Sequence, residues 1–209
     1  MTARQTIGEE IANAISHGLG WALAVAGTVV LIVKAVAFGA LPIVSVSLYG
    51  GSLILLYLFS TLYHSIMHAG AKKVLRVFDH SSIFLLILGS YIPVSLCLIK
   101  GAQGLTLVAV NLACAVLGII LNAISIEKWK KLSMALYVIM GWSIVASLKT
   151  VLSLIPPSGM ALLTLGGVLY TLGIIFYKNK KIKYMHFVWH LFVLSGSVAH
   201  YFFILKYCL

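Results

Sequence analysis

Seven stretches of roughly 20 apolar residues follow one another along this chain, separated only by short polar breaks. That arrangement constrains the fold more than any other feature, because a helix needs roughly 20 mostly apolar residues to cross a bilayer. The runs fall at about 18–38, 44–67, 80–99, 104–125, 132–152, 159–177 and 185–206. Of the 209 residues 62% are hydrophobic and 9% charged, against roughly 25% charged in a soluble domain. Too little polar surface is available to coat a water-facing globule. The sequence therefore predicts an all-α integral membrane protein, one seven-transmembrane helix bundle over 1–209. Pro42 and the pair Pro156-Pro157 fall in loops, where they suit helix ends. Pro93, in GSYIPVSL, falls inside the third span and predicts a kink.

Charge sets the expected direction of these spans. The chain carries 15 Lys and Arg against 4 acidic residues, a net charge of +11. In a soluble protein this would suggest nucleic acid as a partner. Here the basic residues sit in short loops, where they set topology and meet anionic lipid head groups, so nucleic acid is excluded. Arg4, Lys72, Lys73, Arg76, Lys128, Lys130, Lys131, Lys178, Lys180, Lys181 and Lys183 share one side, and Lys34, Lys100, Lys149 and Lys206 the other. The positive-inside rule then predicts a cytoplasmic N-terminus and an outside C-terminus in the cell's inner (plasma) membrane. The opening MTARQTIGEEIANAISHG lacks the basic-then-apolar order of a cleaved signal, so the first span is expected to stay. Cys97, Cys114 and Cys208 form no CxxC pair and predict buried free thiols.

The polar residues inside the runs carry the chemistry. With that topology, Glu10, Asn13 and His17 mark the cytoplasmic start of the first span. Ser60 and His64 end the second, Asp79 enters the third, and His186 and His190 open the seventh. Groups distant in sequence thus share one membrane depth, and ionisable residues at such depth are functional hypotheses by default. His186 and His190 stand at i and i+4, which puts both imidazoles on one helix face about 6 Å apart at Cβ. Ser60 and His64 have the same relation. Three neutral histidines around one ion make an open, catalytic type of zinc site, with Asp79 to orient a ligand or the reacting water. His68 is a rival to His64, being likewise spaced four residues from it. It adjoins Ala69-Gly70-Ala71-Lys72, where the helix is expected to leave the membrane, which favours a surface position. His80, beside Asp79, is expected to point elsewhere. Asn111 and Asn122 read as interhelical hydrogen bonders and Glu127 as a loop charge. His200 lies about 15 Å further along the helix than His190, too far to share an ion, and a hydrogen-bonding role is expected.

EEIANAISHG, STLYH, FDHSSIFLLILGSYIP and HFVWHLFVLSGSVAH resemble, in order, the motifs of the hemolysin III branch of the progestin and adiponectin receptor family. The resemblance covers essentially the whole chain. The wider superfamily includes alkaline ceramidases, which are zinc-dependent amide hydrolases. The resemblance implies zinc (Zn2+) ligands at His64, His186 and His190, so it selects His64 over His68. It implies catalytic roles at the water or carbonyl for Asp79 and Ser60, and a supporting cluster at Glu10 and Asn13. Three functions follow as expectations: a zinc-dependent hydrolase of amide-linked lipids, a non-enzymatic sensor of membrane state stapled by zinc, or a channel or pore-forming cytolysin. Membrane lipids are the expected partners in each.

Overall fold

A computed structural model describes residues 5–179 and 181–209; Arg4 and Lys180, both counted in the charge asymmetry, lie outside the described residues. All regular structure among the described residues is helical: α1 Ile7–Ala35, α2 Ala40–Ser65, α3 Ala69–Pro93, α4 Gly101–Trp142, α5 Leu148–Leu154, α6 Pro157–Lys178 and α7 Met185–Tyr207.

Helix α1 begins well before the apolar run expected at 18. Thr6 caps it, its side chain accepting from the Glu9 backbone while Glu9 reaches back to the Thr6 N–H, a reciprocal capping box that satisfies two otherwise orphan donors. The buried residues Glu10, Asn13, His17, Gly20, Ala24, Leu31 and Ala35 recur at mostly three- and four-residue spacing, one stripe of a 3.6-residue helix. On the opposite face Ile7, Ile11, Ile15 and Leu19 are 54–70% exposed. In these first turns polar residues face in and aliphatic ones face out. That inversion of a soluble helix is stable only where the surroundings are hydrocarbon.

Gly39, at φ 92, makes the turn into α2 with a backbone that side chains rarely adopt. Close approach between α1 and α2 depends on Gly50, since a Cβ there would lie 2.3 Å from the Thr28 hydroxyl. Helix α3 begins at Ala69, again well ahead of the expected span. It ends at Pro93, where a π-helical segment Val94–Ile99 takes over. Proline's missing N–H and ring break the α-helical ladder there, so the expected irregularity is present as a change of helix type.

Among the described residues six helical elements are long and apolar enough to cross a bilayer: Ile7–Phe38, Ala40–Ser65, Ala69–Ile99, Gly101–Leu154, Pro157–Lys178 and Met185–Tyr207. Seven were expected. The difference lies in the fourth, whose 54 residues cover two of the expected runs, 104–125 and 132–152. It is bent at Ser125, whose φ −170 and ψ 107 are extended and whose hydroxyl accepts from the Lys128 N–H at 3.3 Å, as an N-cap does. Beyond the bend the chain doubles back. Ser133 donates to Asn122 Oδ1 at 3.0 Å and Asn111 Nδ2 to Ser143 Oγ at 2.9 Å; on a straight helix the latter pair would be about 48 Å apart. Asn111 and Asn122 are thus the polar stitches of an antiparallel pair within Gly101–Leu154. Glu127, near the bend, pairs with Arg76 at 2.5 Å.

Candidate metal centre

The N-terminal ends of α1, α3 and α7 and the C-terminal end of α2 meet at one end of the bundle. Glu9 Oε1 accepts from the Tyr184 N–H just before α7 at 2.9 Å, which fixes α7 beside α1. Where these ends converge, His64 of α2 and His186 and His190 of α7 present one ring nitrogen each within 4.8 Å of one another. Ring centroids are 4.7 Å apart for His186–His190, 5.1 Å for His64–His190 and 5.2 Å for His64–His186. His64 and His190 are buried and His186 is half-buried. Among the described residues this is the group of His, Cys, Asp and Glu compact enough to hold a metal ion.

Hydrogen-bond partners settle which nitrogen of each buried ring is available. Glu10 Oε2 accepts from His64 Nδ1 at 2.7 Å, leaving Nε2 buried and without a partner. His190 Nδ1 lies 3.1 Å from Ser16 Oγ and 3.3 Å from the Asn13 carbonyl. Ser16 spends its own hydroxyl proton on that carbonyl at 2.9 Å, so His190 Nδ1 must be the donor. Both rings are therefore assigned as Nδ1–H tautomers, with a lone pair on Nε2. A histidine held through one nitrogen by a carboxylate or carbonyl and free at the other is the usual arrangement of a metal ligand. An unpaired buried nitrogen costs roughly 1–3 kcal/mol, a cost that coordination would remove. The donor set therefore fits a zinc ion.

His17 joins this cluster from α1. Its ring stacks on His190 with centroids 3.5 Å apart and planes 10° apart, and it meets the edge of Tyr57 at 5.1 Å. Gly20 makes room for that tyrosine, since a Cβ there would lie 2.7 Å from its ring. His17 supports the His190 ring and is outside the three-histidine group.

A cavity of ≈ 150 Å³ opens beside the histidines, and Ser60, Asp79, His17, His186 and His190 all line it. Much of its wall is apolar, including Leu56, Ile83, Leu86, Ile87 and Val193. His80 lines the same cavity and its Nδ1 lies 3.3 Å from Asp79 Oδ2, so the expectation that it points away from Asp79 is corrected. One residue further along a helix is a turn of only about 100°, which the wide cavity accommodates. His68 caps α3, accepting from the Ala71 N–H at 3.3 Å, and is exposed. His200 stands apart from the three-histidine group, its Nε2 donating to the Leu163 carbonyl at 3.2 Å. It lines both this cavity and a second of ≈ 210 Å³. Ser16 was not among the residues expected at the centre, yet its bond to His190 is buried. Its place on the polar stripe Glu10, Asn13, Ser16, His17 was the available signal.

The Haemolysin-III related family matches residues 5–201. This chain belongs to the haemolysin-III family. It is 44% identical over 204 residues to the hemolysin-3 homolog of Bacillus subtilis (strain 168), covering 97% of this chain and 96% of that protein. It is 42% identical over 206 residues to hemolysin-3 of Bacillus cereus, covering 98% and 94%. The human monocyte to macrophage differentiation factor is 30% identical over 168 residues, covering 77% of this chain and 68% of that protein, which supports the relation to the progestin and adiponectin receptor group. Family and apolar helices together make this haemolysin-III protein a multi-pass membrane protein.

Proposed function

We propose that this chain is a zinc-dependent hydrolase of amide-linked lipids, with the ion held by His64, His186 and His190. The observation that carries the reading is the orphaned His64 Nε2 near two further imidazoles, the three rings offering nitrogens within 4.8 Å of one another, beside a cavity that also presents Asp79 and Ser60. In this reading the chain crosses the plasma membrane seven times, both arms of Gly101–Leu154 spanning, with the N-terminus cytoplasmic and the C-terminus outside. The antiparallel Asn122–Ser133 and Asn111–Ser143 bonds support two crossings there.

When bound, zinc supplies Lewis acidity, polarising a carbonyl and bringing the pKa of water toward about 7. The protein's own groups divide the remaining work. The apolar wall of the cavity takes the acyl chain and excludes water from it. Ser60 donates a hydrogen bond to the substrate carbonyl oxygen as the carbon becomes tetrahedral. Asp79 accepts a proton from the attacking water and returns it to the amide nitrogen, so a C–O bond forms, the C–N bond breaks, and a fatty acid and an amine leave. His80 flanks that carboxylate on the cavity wall. Ser16, Asn13 and Glu10 orient the ligand rings.

A second reading, zinc as a staple without turnover, is favoured by the origin of the ligands on two helices, α2 and α7, with supporting groups from α1. Two variants separate them. Purified wild type should contain one equivalent of zinc and hydrolyse ceramide-like lipids. His190→Ala should lose both, and Asp79→Asn should keep zinc and lose turnover. Zinc-replete wild type inert across a broad panel of amide-linked lipids would leave the staple, and no zinc in the wild type would overturn both readings.

A further inference from the structure

We propose that Lys72 is the outer member of a Lys72–Glu10–His64 relay that fixes the orientation and tautomer of His64, making a lysine of the topology-setting loops a positioning residue of the metal centre. The inference rests on the zinc reading for its consequence, and on hydrogen-bond geometry for its substance.

Glu10 is 8% exposed and both of its oxygens are engaged. Oε2 accepts from His64 Nδ1 at 2.7 Å and Oε1 from Lys72 Nζ at 2.8 Å. Lys72 is itself held from a second direction, donating to the Tyr63 carbonyl at 3.1 Å, with its ammonium 4.8 Å from the centre of the Tyr63 ring. The relay therefore joins three helices: Lys72 from α3, Glu10 from α1, and Tyr63 and His64 from α2. A lysine whose role is only to keep a loop cytoplasmic needs none of these contacts. Lys73, the next residue, is exposed and serves as that ordinary case. Arg76, one turn further on, is occupied by Glu127 at 2.5 Å and cannot substitute.

The physical consequence runs inward. A buried carboxylate is tolerated when its charge and lone pairs are matched. With Oε1 held by Lys72, the carboxylate cannot swing, and Oε2 stays aimed at His64. A carboxylate is an acceptor only, so it dictates a proton on Nδ1 and leaves the Nε2 lone pair directed at the site. Losing Lys72 strands Oε1, frees the carboxylate to rotate and releases the choice of tautomer. Removal of such outer partners typically weakens metal binding roughly 10–100-fold.

The test uses the full chain purified in detergent, as wild type, Lys72→Met, Lys72→Arg and Lys73→Met. Two quantities are read: zinc affinity by competition with a chelator of known strength, and the His64 tautomer in metal-free protein from its ring 15N shifts. Lys72→Met should weaken zinc binding roughly 10–100-fold and mix the two tautomers. Lys72→Arg should restore both, and Lys73→Met should match wild type. Should Lys72→Met fail to fold, Lys72→Gln, which keeps a donor for the Tyr63 carbonyl without the charge, makes the same comparison. Wild-type affinity and a single tautomer without the Lys72 charge would overturn the relay. A wild type that takes up no zinc, yet mixes tautomers on Lys72→Met, would support the relay while refuting the metal reading.

Discussion

Replacing Ser197 with alanine should loosen the wall of the cavity by a calculable amount. Ser197 is 4% exposed and stands between two phenols, Tyr57 of α2 and Tyr170 of α6, each 2.8 Å from its oxygen. Tyr57 is 1% exposed, so its hydroxyl finds no water after the change, a loss of roughly 1–3 kcal/mol. Tyr170 borders the cavity and can turn toward it, so its loss stays at the low end of a net hydrogen bond, ~0.5 kcal/mol. Polar contacts between membrane helices average only about 0.6 kcal/mol in double-mutant cycles, which pulls the sum down to ~2 kcal/mol. For a chain of this size that corresponds to a fall in Tm of about 4–8 °C, read by thermal unfolding in detergent. Tyr57→Phe alone should cost less, because Ser197 keeps Tyr170. The double variant should cost ~1 kcal/mol less than the sum of the two, since the phenylalanine ring carries no hydroxyl to strand. Strict additivity, or Ser197→Ala melting with wild type, would refute the reasoning.

Free zinc at about 100 times its Kd should stabilise the wild type by ~2.7 kcal/mol, and His64→Ala should abolish that gain; a gain that persists would place the ion elsewhere. His68→Ala removes a cap of α3 and should cost ~1 kcal/mol with zinc content unchanged, which elemental analysis checks. Gly166→Ala sets a Cβ 2.1 Å from the His200 ring and should cost ~1–3 kcal/mol by overpacking. Melting unaffected by that change would show that α6 and α7 are less closely apposed at Gly166 than this contact requires.

The same features that announced a membrane protein hid its element boundaries. Hydropathy found the apolar core of every helix, but α1 and α3 begin at Ile7 and Ala69, well ahead of the runs. Their early turns carry Glu10, Asn13, Lys72 and Asp79, which an apolarity count reads as loop. Those residues are helical because their polar side chains face one another inside the bundle, while Ile7, Ile11 and Phe78 face outward. The bend at Ser125 was legible as a break between apolar runs. That one extended residue would turn the chain there was not, because serines also stand inside the helices of this chain, as at Ser16, Ser52 and Ser60. His186 and His190 were readable as a pair because one helix fixes their spacing.

Whatever depends on a single helix could be read from the residues in order: apolar length, the shared face of His186 and His190, and the polar stripe of α1. Local geometry repeats every 3.6 residues, so spacing suffices. Whatever depends on separate helices meeting required the folded bundle. Packing brought His64 to α7, laid His17 on His190, and set Glu10 between His64 and Lys72. The bonds from Glu10 to His64 and from Ser16 to His190 join residues 54 and 174 positions apart, and no periodicity carries across the intervening loops. Such contacts are fixed where Gly20 and Gly50 let helices close and each buried polar atom must find its partner.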